Sequence, residues 1–86
     1  MSTIYVIVGT TGEYSDHREW FVKAFTAEAK AQEFVTAVSA ISRELYATLS
    51  SKYDYYDLKG LNPLDPNMQV DYTGVRYNYC EVELEE

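Results

Sequence analysis

Residues 3–9 read Thr3-Ile4-Tyr5-Val6-Ile7-Val8-Gly9, and this stretch decides the fold. Ile4 to Val8 are all β-branched or aromatic, side chains that suit a pleated chain. In a strand, Ile4, Val6 and Val8 take one side and Tyr5 and Ile7 the other. A strand apolar on both faces belongs in the middle of its sheet. Next, residues 10–18 (TTGEYSDHR) are polar and contain Gly12, Ser15 and Asp16, so they read as a turn region. Residues 19–25 (EWFVKAF) read as a second strand, with Trp20, Val22 and Ala24 on one face and Phe21, Lys23 and Phe25 on the other. The two strands form a hairpin with a long or bulged loop.

The clearest periodicity follows. Ala31, Phe34, Val38, Ile41, Leu45 and Leu49 recur at spacings of three and four, and Val35 widens the stripe. That pattern predicts an amphipathic helix with one buried face. Thr26 is the expected N-cap, Glu28 suits the positive end of the helix dipole, and the helix should end between Leu49 and Tyr56. Lys59–Asn67 (KGLNPLDPN) reads as an ordered loop, because Pro63 and Pro66 exclude ladder pairing. Gln69–Tyr72 is an optional short strand. Val75–Leu84 alternates, which places Cys80, Val82 and Leu84 toward the helix and Tyr77, Tyr79, Glu81 and Glu83 away from it.

The expected fold is therefore α+β: a small antiparallel sheet, ββαβ or ββαββ in strand order 2-1-3, with one amphipathic helix packed on one face. Residues 1–86 form a single domain of modest core. No apolar run reaches the roughly 18 residues of a membrane helix, and Met1–Thr3 carries no charged leader. The chain reads as cytoplasmic.

Charge is unevenly distributed. Residues 53–86 hold eight acids against two bases, a net of −6 within a total of −7, and six of the nine tyrosines. Such a surface attracts cationic partners and repels nucleic acid. Catalytic and metal motifs fail on inspection. Ser15, Asp16 and His17 are adjacent, whereas a triad must converge in space with histidine in the middle. Asp65, Asn67, Gln69 and Asp71 alternate like a calcium loop, but Val70 replaces the required glycine and Arg76 the bidentate glutamate. One cysteine and one histidine do not make a zinc site. The reading is non-enzymatic, with no cofactor, metal or catalytic residue. Cys80 reads as a small buried hydrophobe.

The acidic, tyrosine-rich pattern suits protein binding, since tyrosine offers contact area at low entropic cost and acids steer a basic partner. The expected contact residues are Asp54, Tyr55, Tyr56, Asp57, Asp71, Tyr77, Tyr79, Glu81 and Glu83. Tyr5, Ile7, Phe21 and Phe25 would join the same open sheet face. A homodimer through that face is the alternative.

The chain also resembles a group of short proteins found in phages and prophages. In that group a YVV-like strand leads to an acidic EYSD hairpin turn, an aromatic strand, a helix and an acidic closing strand. The carriers here are Tyr5–Val8 (YVIV), Glu13–Asp16 (EYSD), Phe25–Thr26 and Glu81–Glu86 (EVELEE). The longer helix and the Asn62–Asn67 loop depart from the group. The resemblance implies a phage-encoded accessory protein of the host cytoplasm. Such a protein would inhibit a host defence or nucleic-acid-binding protein by offering acids in place of phosphates.

Overall fold

In the computed structural model the described residues are 2–12, 17–48, 57–71 and 73–85. They form strand β1 (Ser2–Thr11), strand β2 (Arg18–Phe25), helix α1 (Glu28–Ala47) and strand β3 (Val75–Leu84). β1 lies between the other two and pairs antiparallel with both, in order β2-β1-β3. The fold is α+β, as the apolar opening strand and the helical stripe require. Of the expected short strand, residues 69–71 form none and Tyr72 lies outside the described residues; Asn62 and Asp65 make an isolated bridge nearby. Among the described residues, no helix is long and apolar enough to cross a membrane.

The helix begins one residue later than expected. Ala27 occupies the N-cap position and no side chain caps it. Its C-terminus comes early, because Thr48 turns back and gives both its amide and its hydroxyl to the Leu45 carbonyl. Leu49 and Tyr53 to Tyr56 lie outside the described residues.

The helix packs on the face that carries Tyr5, Ile7, Gly9 and Thr11. Ile7, Ala31 and Val38 are fully buried between the two layers. Directly opposite residues share a face, and the register pairs Ile7 with Tyr79 and Gly9 with Tyr77. Tyr77 and Tyr79 therefore lie on the helix side, whereas Cys80, Val82 and Leu84 lie on the open side. This reverses the parity expected for β3. Simple hydrophobicity favours the Cys80 side, but the residues that meet α1 also need hydrogen-bonding tips. Tyr77 is 5% exposed and its hydroxyl is satisfied inside. Beyond Tyr79 the sheet outruns the helix, so Glu81 and Glu83 stay exposed on that side.

β2 also departs from simple alternation. The register shifts between Ile7 and Val8, so Lys23 pairs with Ile7 but Phe21 pairs with Val8. A bulge of this kind moves the following residues to the opposite face. Trp20 turns under the helix layer, Phe21 turns out and is 77% exposed, and Phe25 stays inside against Phe34 at 5.5 Å.

A second core sits at the C-terminal end of α1. Leu58, Met68 and Val70 pack there against Trp20, Leu45, Tyr46 and Val75. The loop that supplies them is tied down by Asn62. Its amide donates to the Val38 carbonyl and the Ser42 hydroxyl at 3.0 Å each, and its side-chain oxygen accepts from the Leu64 amide. Within the same loop, Asp65 accepts from the Trp20 indole and the Tyr77 hydroxyl, both at 2.8 Å. Trp20 and Tyr77 meet edge to face across Gly9, with centroids 6.4 Å apart.

Gly9 is required by this crossing. A β-carbon there would lie 2.5 Å from Cε2 and Cζ2 of Trp20. Gly9→Ala should displace the indole from Asp65 and cost about 1–3 kcal/mol, seen as an earlier chemical-unfolding midpoint and a red-shifted tryptophan emission. Unchanged emission and midpoint would remove this close approach from the account.

Burial pushes the Tyr77 phenol well above its ordinary range, Asp65 adds to the rise, and Ser42 opposes it in part. The protonated phenol is thus favoured in the folded state. Its contribution to stability is complete below the unfolded value of about 10 and falls as pH rises beyond it. Unfolding free energy measured by urea from pH 8 to 11.5 should drop above pH 10, and the slope should lessen in Tyr77→Phe. Equal slopes in the two proteins would contradict this assignment.

Candidate functional site

The sheet and the start of α1 bring a tyrosine and acid cluster together. Register puts Tyr5 opposite Glu81, one step along from the Ile7–Tyr79 pair. The Tyr5 and Tyr79 rings meet edge to face at 6.0 Å. Over them lies the first turn of α1. Gln32 Nε2 donates to the Tyr79 hydroxyl at 3.1 Å, and that hydroxyl donates to Glu28 Oε2 at 3.4 Å. Partial desolvation raises the Tyr5 phenol, with further contributions from Glu81, Glu28 and Tyr79 in that order. Glu83 continues the same side of the strand. Beside the cluster, Lys23 Nζ sits 5.8 Å from the ring centroids of both Phe25 and Phe34.

Chemically, the cluster combines hydrogen-bond acceptors with aromatic faces. Ring faces and carboxylates lie together, which suits an ammonium or guanidinium group from outside. Among the described residues, no group of three or more His, Cys, Asp or Glu side chains is placed to hold a metal ion. His17 pairs with Glu19 at 3.6 Å on the exposed surface. Ser15 and Asp16 lie outside the described residues. A shallow open groove between α1 and β3 is lined by Val35, Ser39, Arg43, Tyr77 and Asn78. Its lining includes two arginines, Arg43 and Arg76, and no carboxylate.

The expected contact residues separate into distinct environments. Tyr79, Glu81 and Glu83 come together at the cluster. Tyr77 does not join them, because it is buried on Asp65. Asp71 is turned inward: its Oδ1 accepts from Thr11, the Thr73 amide and the Thr73 hydroxyl, and the Tyr46 hydroxyl binds its carbonyl. Asp57 is exposed, on the short turn leading to Leu58 at the opposite end of α1. Asp54, Tyr55 and Tyr56 lie outside the described residues. The half of the tyrosine face around Tyr77 lies beneath α1, so only the half around Tyr79, Glu81 and Glu83 is open. Cys80 is exposed rather than buried.

Two members of the cluster escaped the sequence reading. Glu28 was recognisable only as a helix-dipole residue, and Gln32 was not singled out at all. Their signal is tertiary: α1 runs back over β3, so its first turn meets Tyr79. The chain matches no protein family, and neither a curated protein nor a solved structure resembles it.

Neutralising Glu81 should lower the Tyr5 phenol toward its ordinary value. In Glu81→Gln, the Tyr5 ring resonances should titrate at lower pH than in the parent protein, by NMR. An unmoved midpoint would show that Glu81 does not act on Tyr5.

Proposed function

We propose that this protein is a non-enzymatic binding module that docks on a basic protein surface through Tyr5, Tyr79, Glu28, Glu81 and Glu83. The observation that carries the reading is the Tyr5–Tyr79 pair, held between carboxylates from two different elements. Lysine or arginine side chains of the partner lie over the rings and pair with Glu28 and Glu81. The net charge of −7 supports a partner that is itself electropositive and argues against direct binding to nucleic acid. The finer reading rests on the resemblance to small phage proteins. On that reading the partner is a host defence or nucleic-acid-binding protein, and the acids occupy the place of phosphates.

An oligo-arginine peptide titrated into the labelled protein should shift the resonances of Tyr5, Glu28, Tyr79 and Glu81. Salt should weaken the binding by screening. Glu28→Lys combined with Glu81→Lys should weaken it by about tenfold or more. Shifts confined to other residues, or affinity indifferent to both salt and charge reversal, would overturn the reading.

A further inference from the structure

The side of the sheet away from the helix takes no part in the cluster described above. Ile4, Val6 and Val8 run down its centre and are half-buried only by their neighbours. Phe21 is 77% exposed on one flank, and Val82 and Leu84 are 37% and 41% exposed on the other. No helix or loop of the described chain covers them. A sheet face this apolar is ordinarily packed against a second layer. The pattern of β1 says the same, since both of its faces are apolar and α1 covers only one.

We infer that the open sheet face is covered by the same face of a second copy of this chain, forming a two-sheet sandwich between two outer helices. Charge selects this occupant. The chain carries −7 overall, yet the charged side chains that alternation and register place on this face are Glu19 and Arg76, one of each sign. Both flank Thr10 at one end of the sheet. Glu81 and Glu83 alternate to the helix side. A basic partner would meet no acid in the middle of this face, whereas a second copy meets an uncharged apolar surface like its own. Two net-negative chains can therefore approach here without bringing their acids together.

Surface area agrees. A compact monomer of 9.9 kDa exposes about 5,200 Å². This chain exposes 5859 Å², an excess of about 650 Å². Its least extent is only 15 Å, one sheet and one helix thick. Three strands of about ten residues give a flat footprint of roughly 450 Å², and protruding side chains raise the accessible area. Such a pair approaches the lower range of stable interfaces, about 1,200 Å² in total. Sheets in such a sandwich pack about 10 Å apart. The tyrosine and acid cluster lies on the other side of the sheet, so the dimer presents two copies of it and the inference stands independently of what that cluster binds.

Light scattering of the full chain should give a mass rising toward twice 9.9 kDa as concentration increases from about 5 μM to about 500 μM. Phe21→Glu places a charge in the face at an exposed position that the monomer fold does not need. It should remain near 9.9 kDa throughout with an unchanged circular dichroism spectrum. Glu83→Gln, on the other side, should dimerise as the parent does. Cys80 lies on the open face and reports its cover. Its reaction with a thiol reagent should slow several-fold at high concentration in the parent and not in Phe21→Glu. A parent protein that stays monomeric across the range would overturn the inference and leave the face to a different partner. So would a Phe21→Glu variant that dimerises fully, or Cys80 reactivity independent of concentration, since either would place the contact elsewhere.

Discussion

Oδ2 of Asp65 accepts from the Trp20 indole and from the Tyr77 hydroxyl at 2.8 Å each, and the residue is 1% exposed. Three separate parts of the chain meet at that one oxygen: the first edge strand, the last strand and the loop between helix and sheet. Leaving either donor unpaired in such a place would carry a desolvation penalty of about 1–3 kcal/mol, so the three parts are ordered together. Gly9 lets Trp20 cross the central strand to reach it. The β2 bulge turns Trp20 to the correct side. Asn62 fixes the loop against α1 so that Asp65 arrives at the right depth.

From that constraint follows the distribution of the two sheet faces. Once Tyr77 is committed inward, strand alternation commits Tyr79, Glu81 and Glu83 to the helix side and Cys80, Val82 and Leu84 to the open side. The helix covers the first half of β3 and stops short of the second. The acids past its end stay hydrated beside Tyr5 and Tyr79, while the apolar side of the same strand has no layer of the described residues over it. Charge and greasiness are thus separated onto opposite sides of a thin sheet. That separation is the physical basis for reading one side as an electrostatic docking surface and the other as a place for packing.

Much of the fold was legible in the chain. The doubly apolar Ile4–Val8 run required a central strand, and the stripe from Ala31 to Leu45 required a helix with one buried face. Order 2-1-3 followed from placing these together. The facing of β3 was not legible, because alternation defines two sides without saying which one the helix takes. The side chosen carries tyrosines, whose hydroxyls find partners on Asp65, Gln32 and Glu28. Those partners are 12 to 51 residues away in sequence, so no local pattern announces them. The β2 bulge was equally hidden, as Phe21 and Phe25 look equivalent until the register slips between them. Of the candidate site, Tyr79, Glu81 and Glu83 were found from composition and period. Glu28 and Gln32 were not, since only the docking of α1 brings them near.

By itself, then, the sequence determined the class of fold, the place of each element in the sheet, the absence of a recognisable catalytic motif and the concentration of negative charge late in the chain. These are local or additive properties, set by side-chain periodicity, turn residues and counted charges. The tertiary structure decided which side of the last strand is covered, which tyrosines are core and which are surface, and which acids stand together. Those outcomes depend on hydrogen-bond partners and packing between segments far apart in sequence. A buried carboxylate in a proline-flanked loop settles them, and its role exists only once the chain has folded around it.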